Sequence, residues 1–504
     1  MQWLRRINLH PLLFAIFPII SLYAYNQAEV SVMAIWRPIL ISLVLCVMLW
    51  LASNVWLNNW RKSAIITTWI LLWFFSYGKL RDYFSQVSWL GSSLGSHQIL
   101  APICIISLLL GIVLFLKRPH LDEQLTPTLN IITITTILIS LIQIISYACT
   151  VFLAERNRVT QVRLDSPIPT LREAQELPDI YYIILDEYSR DDILKSDFDF
   201  DNRYFLEQLR GKGFYIADCS LSNYGTTAFS LASSLNYDYL QSLGSQFVPG
   251  EGIHDNNEIS EVWQLLQHSK VRQRLESMGY LSVAFDTGVF WSNVSESDIF
   301  YKFNNKPYSS FEDLILDSTA AGFLLDEIEY RDPTFRYREW YGKQAYNLER
   351  LIEATTLNSP KFVYAHLLIP HGPLVFGPNG ELQYGSGEQG YRDQVYFINS
   401  YILALVQKII NSSNIPPVII IQGDHGQRDA SYTLPILNAY LLPGNGEAGL
   451  YPTITPVNSF RLIFDAYFGD HLGLLEDISY DSDWEKDWYD FSVFVETNPN
   501  CALK

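Results

Sequence analysis

Five apolar segments crowd the first 155 residues, roughly 11–25, 38–56, 64–77, 99–116 and 129–153, and they constrain the fold more than any other feature. A helix needs about 20 mainly apolar residues to cross the hydrocarbon core of a bilayer, and several of the five reach that length. The first and third lie near the lower limit. Pro11–Tyr25 lacks a small-residue cleavage site and is followed by four more apolar segments, so it reads as a span rather than a signal peptide. Loop charges support several passes: Arg5, Arg6, Arg61, Lys62, Lys117 and Arg118 alternate with loops holding only Arg37, Lys79 and Arg81. This asymmetry puts the amino terminus in the cytoplasm. Five spans then deliver everything after residue 155 to the extracytoplasmic side of the cell membrane.

Charge divides at the same boundary. Residues 1–155 hold nine Lys/Arg against five Asp/Glu, and the remainder holds 26 against 48, for a net −18 overall. So acidic an exported half argues against nucleic acid as a partner, because phosphate backbones are bound through basic surface. No charged residue interrupts the middle of a span, which argues against a transport pathway and for an anchor or platform. Cys46, Cys104 and Cys149 lie in apolar spans, and the spacing of Cys219 and Cys501 supports neither a disulfide framework nor a zinc cluster.

Residues 155–177 read as a polar linker containing Pro167 and Pro169. Strand-like runs then alternate with helical stretches. Asp179–Leu185, Leu281–Phe285, Lys361–Leu368 and Val418–Ile421 are apolar and rich in β-branched or aromatic residues, as strands buried on both faces are. Helices are expected over 202–212, from Ala228 onward, and over 258–278, 390–411 and 458–468. This alternation predicts an α/β domain with a mainly parallel sheet over 178–470, followed by a tail at 471–504. In such sheets ligands bind beyond the carboxyl ends of the strands. Those ends collect Asp186 and Glu187, His366 and His371, and Asp424 and His425. Thr226 and Thr227 sit where the helix from Ala228 needs its N-cap, and a hydroxyl there faces the positive end of the helix dipole. Phe290-Trp291-Ser292-Asn293 reads either as a pocket wall or as packing. His254 and His268 read as surface or helix residues.

Taken together, these motifs resemble the sulfatase branch of the alkaline phosphatase superfamily, and most closely its membrane-anchored members such as lipoteichoic acid synthases and lipid A phosphoethanolamine transferases. Asp424-His425-Gly426 matches their metal-binding Asp-His, and Asp186 falls at their first acidic ligand, with Glu187 a second or substitute ligand. Thr227 resembles the nucleophilic threonine of the transferases, with Thr226 as the alternative register. His371-Gly372-Pro373 looks like the His-x-Pro substrate loop, and His366 stands five residues before it, as in the transferases. Phe290–Asn293 is similar to a Phe-Trp-Asn-Arg segment of the synthases but lacks the arginine. The Cys/Ser-x-Pro-x-Arg sequence of hydrolytic sulfatases is replaced by Thr227-Ala228-Phe229-Ser230-Leu231.

The resemblance implies one divalent metal ion, whether zinc, manganese, magnesium or calcium, held by Asp186, Asp424 and His425. It implies a phospho-group transferase that takes a phospholipid-like donor and a glycan or lipid acceptor through a phospho-threonine at Thr227, with His371 and His366 at the transferred group. The alternatives are a phosphodiester or sulfate-ester hydrolase of the same fold and a non-catalytic membrane-anchored binding module.

Overall fold

Apolar length and the absence of internal charge make helices of the first half. They appear as α1 (His10–Tyr25), α2 (Trp36–Leu57), α3 (Trp60–Ser85), α4 (His97–Lys117) and α5 (Leu121–Asp165). The computed structural model describes residues 7–501 apart from 28–29, 31, 90–91, 119–120, 166–176, 245–246, 248–257, 290–291, 304–308, 333, 483–490, 497 and 499–500. Among the described residues, four helices are long and apolar enough to cross a membrane, while α1, at 16 residues, is shorter. α1 packs against α2, α3 and α5, and α4 against α3. The start of α1 lacks a cap of its own, and α5 supplies one: Asn130 Oδ1 accepts from the backbone N–H groups of Leu9 (3.1 Å) and His10 (2.8 Å).

The expected linker begins as helix, because 155–165 carry neither proline nor glycine to stop α5. Residues 166–176, with Pro167 and Pro169, lie outside the described residues, as does His254.

Two compact units emerge, and the boundary is not the single cut read from composition. Residues 305–333 group with 1–169, whereas 170–304 and 334–504 form the second unit. The expected domain over 178–470 is therefore interrupted by an excursion.

The second unit is built on a seven-stranded sheet: β1 (Ile180–Leu185), β2 (Tyr215–Ile216), β3 (Leu281–Phe285), β4 (Ile299–Tyr301), β5 (Lys361–Leu367), β6 (Val418–Gly423) and β7 (Asn438–Leu441). Their order is β2-β7-β6-β1-β5-β3-β4. β6, β1, β5, β3 and β4 run parallel, while β7 is antiparallel to both its neighbours. Tyr181, Ile183 and Leu185 of β1 enter the core on one face, and Ile180, Tyr182 and Ile184 enter the core on the other. Burial on both faces explains why β1 and β6 show no polar alternation.

Helix α6 (Thr227–Asn236) contributes to one face, as does α8 (Pro456–Ile463), and the long α7 (Gly387–Ser412) covers the other. The helix expected over 258–278 is broken into Glu258–Gln267 and Lys270–Ser277. Ser269 takes an extended conformation there, and the buried Arg272 guanidinium donates to the Gln267 carbonyl left open by the break.

Candidate active site

Strands β5, β1 and β6 end side by side, with Leu185 paired to Leu367 on one flank and Gly423 on the other. The residues that follow, Asp186 and Asp424, therefore meet at the carboxyl edge. Gly423 makes this possible, since a Cβ there would lie 2.5 Å from the Tyr188 carbonyl oxygen. Asp424 Oδ1 accepts from the backbone N–H groups of Glu187 (3.1 Å) and His425 (2.8 Å). Asp186 Oδ2 lies 3.1 Å from His366 Nε2.

Two carboxylate oxygens remain, Asp186 Oδ1 and Asp424 Oδ2, both buried and without a hydrogen-bond partner among the described residues. His425 Nδ1 lies 2.8 Å from the Gly426 carbonyl, which fixes the proton on Nδ1 and leaves Nε2 with its lone pair. One donor atom from each of Asp186, Asp424 and His425 lies within 4.8 Å of the others. Buried, unpartnered carboxylate oxygens are costly unless a cation meets them, so this hard oxygen and nitrogen set fits a divalent ion.

The electrostatics follow from the crowding. Burial pushes the Asp186 carboxyl up, but the His366 hydrogen bond and the charges of His371, His366 and His425 hold it below the usual range. Burial keeps Glu187 above its ordinary value despite His371 and His425. At His425 burial acts downward, and Asp424, Asp186 and Glu187 together outweigh it, so the imidazole is raised.

Thr227 opens α6, and its Oγ1 lies 3.2 Å from His425 Nε2. Thr226 is the N-cap residue with extended backbone, and its hydroxyl is buried without a partner among the described residues. Of the two threonines, Thr227 is the one whose hydroxyl contacts His425. The approach to α6 is secured by Ser222, whose hydroxyl donates to the Asp424 carbonyl at 2.5 Å.

Glu187 stands apart from the three-residue group. Its Oε1 lies 3.8 Å from His371 Nε2 and 3.5 Å from Arg428 Nε. His366 is fully inside, against Asp186, whereas His371 sits at the half-buried rim. Phe290 and Trp291 lie outside the described residues; Asn293 bonds to Asp286 and Thr287 within its own loop.

Glu187 was expected at the strand end, but its conformation was not. Glu187 has a left-handed backbone (φ 61°), and Tyr391 of α7 donates to its carbonyl at 2.7 Å. No local signal marks that conformation, because left-handed positions usually carry glycine or asparagine. Arg428 did have a signal, standing three residues beyond His425 in the same loop.

The tail contributes as well. Strands β8 (Tyr480–Ser482) and β9 (Phe491–Val493) pair antiparallel, and the chain beyond them crosses the site's supporting loops. Glu496 pairs with the buried Arg190 at 3.0 Å, Asn498 donates to Asp192 at 2.6 Å, and the Phe494 ring meets Tyr432. Cys501 closes a disulfide with Cys219, a bridge that spacing alone did not support.

Neither a family model nor a curated protein matches the chain. Solved structures do match. The C-terminal periplasmic domain of EptC from Escherichia coli, in complex with zinc, is 10% identical over 58% of this chain and 83% of its own, with a TM-score of 0.38. The same domain of the phosphoethanolamine transferase EptC from Campylobacter jejuni is 12% identical over 60% of this chain and 92% of its own, with a TM-score of 0.35. The integral membrane lipooligosaccharide phosphoethanolamine transferase EptA from Neisseria meningitidis is 12% identical over 87% of this chain and 88% of its own, with a TM-score of 0.33. This chain itself carries apolar helices followed by an α/β unit with a mostly parallel sheet.

Proposed function

We propose that this chain is a membrane-anchored, metal-dependent phospho-group transferase of the sulfatase-like kind, acting outside the cytoplasm. The observation that carries the reading is the Thr227 hydroxyl, held at a helix N-terminus 3.2 Å from an imidazole that belongs to a buried Asp-Asp-His group. A divalent ion held by Asp186, Asp424 and His425 would supply Lewis-acid charge beside that hydroxyl and the attacked phosphorus.

The chain's own residues do the rest. Thr227 gives up its hydroxyl proton to solvent, and its Oγ1 attacks the phosphorus in line, forming a Thr–O–P bond as the bond to the leaving alcohol breaks. The amino-terminal N–H groups of α6 point toward the incoming anion and favour it over neutral ligands. His371 protonates the departing alkoxide, with the Glu187 carboxylate 3.8 Å from its Nε2. Arg428 provides a positive charge at the same rim. An acceptor alcohol on a glycan or lipid then attacks the phospho-threonine and restores the hydroxyl.

The apolar helices favour a phospholipid donor, since the scissile phosphate of a lipid lies at the bilayer surface that an anchored domain can reach. The test is the intact mass of the full-length protein in lipid, with divalent metal and a mixed phospholipid extract, beside Thr227→Ala. An adduct on the wild type alone, of a mass equal to a phospho-alcohol, supports the reading. Release of alcohol or phosphate into water without any acceptor would make the protein a hydrolase instead.

A further inference from the structure

The excursion at 305–333 leaves the exported part of the sequence and is built into the unit of apolar helices. It is a helical hairpin of Ser310–Ser318 and Gly322–Arg331. Its seat is specific. Gly78 of α3 lets the hairpin backbone rest directly on the helix, because a Cβ there would lie 2.5 Å from the Asp317 carbonyl oxygen. The Ala320 N–H donates to the Phe74 carbonyl at 2.8 Å, and Glu312 makes a two-pronged pair with Arg37. Arg37 lies at the start of α2, Arg81 near the end of α3 and His97 at the start of α4. In a bundle of consecutive antiparallel helices these positions share one end.

The second hairpin helix is turned inside out. A helix on a water-soluble surface hides its apolar stripe and shows its charges. Here Asp326 faces the bundle, where it meets Arg81 and, at 2.8 Å, His97 Nε2, whose Nδ1 in turn lies 2.7 Å from the Tyr77 hydroxyl. Leu324 (64% exposed) and Ile328 face outward on the other side of the helix and Tyr330 (84% exposed) stands clear near its end, while the Phe323 ring packs edge-on against His97. The charges that share this outer face, Glu327 and Arg331, pair with each other at 2.7 Å.

We propose that this outward face contacts membrane lipid, with the hairpin lying in the interfacial layer at that end of the bundle. Lipid is favoured because the face continues the apolar surface that the same unit already exposes along α2, α4 and α5, including Leu45, Leu110 and Ile142. Its aromatic member fits as well: Tyr330 joins Tyr25 and Trp36, exposed at the end of α1 and the start of α2, as a belt of residues suited to the headgroup level. The inward ion pairs fix the rotation of the helix so that apolar side chains point outward. The inference rests on the helical unit alone and is independent of the transferase reading.

The test uses full-length protein in liposomes of phosphatidylethanolamine and phosphatidylglycerol, with Cys46, Cys104 and Cys149 replaced by alanine. A nitroxide is placed at Leu324→Cys, and in a second variant at Tyr330→Cys, so that one misfolded variant does not end the experiment. Leu110→Cys on α4 serves as the lipid reference and Tyr204→Cys in the other unit as the water reference. Collision rates with oxygen and with a water-soluble nickel chelate are then compared. Both hairpin sites should match Leu110→Cys, with oxygen favoured several-fold over nickel. Nickel access equal to that of Tyr204→Cys overturns the proposal, and so does strong spin–spin coupling between labels, which would mean that a second copy covers the face. Thr227→Ala in the same background should leave the pattern unchanged even if it abolishes any turnover.

Discussion

Thr227 Oγ1 and His425 Nε2 stand 3.2 Å apart although 198 residues separate them in sequence. The contact joins the first turn of α6 to the loop beyond β6, so a small change at either end reaches the other. Thr227→Ala should remove the phospho-adduct and lower turnover by roughly 10³-fold or more, as loss of a nucleophile does. Thr227→Ser should restore part of it. Thr226→Ala should keep turnover within about tenfold, because its hydroxyl makes no hydrogen bond to the imidazole. Intact mass and initial rates on the same preparations check all three, and an adduct persisting on Thr227→Ala would exclude it as the nucleophile.

The unpartnered oxygens of Asp186 and Asp424 predict a stability effect that needs no substrate. A divalent ion at a hundred times its dissociation constant should stabilise the protein by about 2.7 kcal/mol. A chelator should reverse the shift. Asp424→Asn keeps a carbonyl oxygen for the Glu187 and His425 amides but removes the charge. It should therefore lose the metal-dependent rise in melting temperature while leaving the metal-free protein at least as stable as the wild type, since a buried uncompensated charge has gone. Thermal melts with and without metal decide this.

The strands of this site were legible in the sequence and the loops between them were not, for a physical reason. Burial of β1 and β6 on both faces leaves uninterrupted apolar runs, and the polar residues that end them must lie at a sheet edge. Asp186, Asp424 and His425 could be read that way, and the structure brings them together. Glu187 was read at the same edge, but its place beside His371 and Arg428 depends on a left-handed backbone held by a hydroxyl from α7, about 200 residues on. The hairpin at 305–333 was hidden for a different reason: its helices are short and mixed in composition, and only Gly78 and the arginines of the other segment reveal where they sit.

At the opposite edge of the sheet, Asp179 and Lys361 form a buried ion pair at 2.6 Å, with Ser359 also donating to the carboxylate. Removing one partner strands the other in a low-dielectric environment. Lys361→Met should destabilise the protein by about 3–5 kcal/mol, and adding Asp179→Asn should recover much of that loss. Denaturation midpoints of the single and double variants test the coupling, and additive effects would argue against it.

The Cys219–Cys501 bridge fastens the tail to the chain that leads into α6. Loss of a native disulfide commonly costs about 2–4 kcal/mol. Cys219→Ser should lower the melting temperature and raise amide exchange across 491–496. Reductant should do the same to the wild type and nothing further to the variant.

Acid should loosen the same tail by a route that the bridge does not share. Burial acts upward on Asp192, but the hydrogen bond and charge of Arg190 and the bond from Asn498 outweigh it, so the folded carboxyl lies below its ordinary 3.8. A group whose pKa is depressed by folding stabilises the folded state above its unfolded value and loses that contribution as pH falls through its folded value. Asp192 should therefore help to hold Arg190, Glu496 and Asn498 together at pH 5 and above, and progressively less below about pH 4. Asp192→Asn removes the charge at every pH. Exchange at 491–496 should rise on acidification in the wild type, while the variant should start higher and change less. Equal slopes in the two proteins would assign the acid sensitivity to other carboxylates.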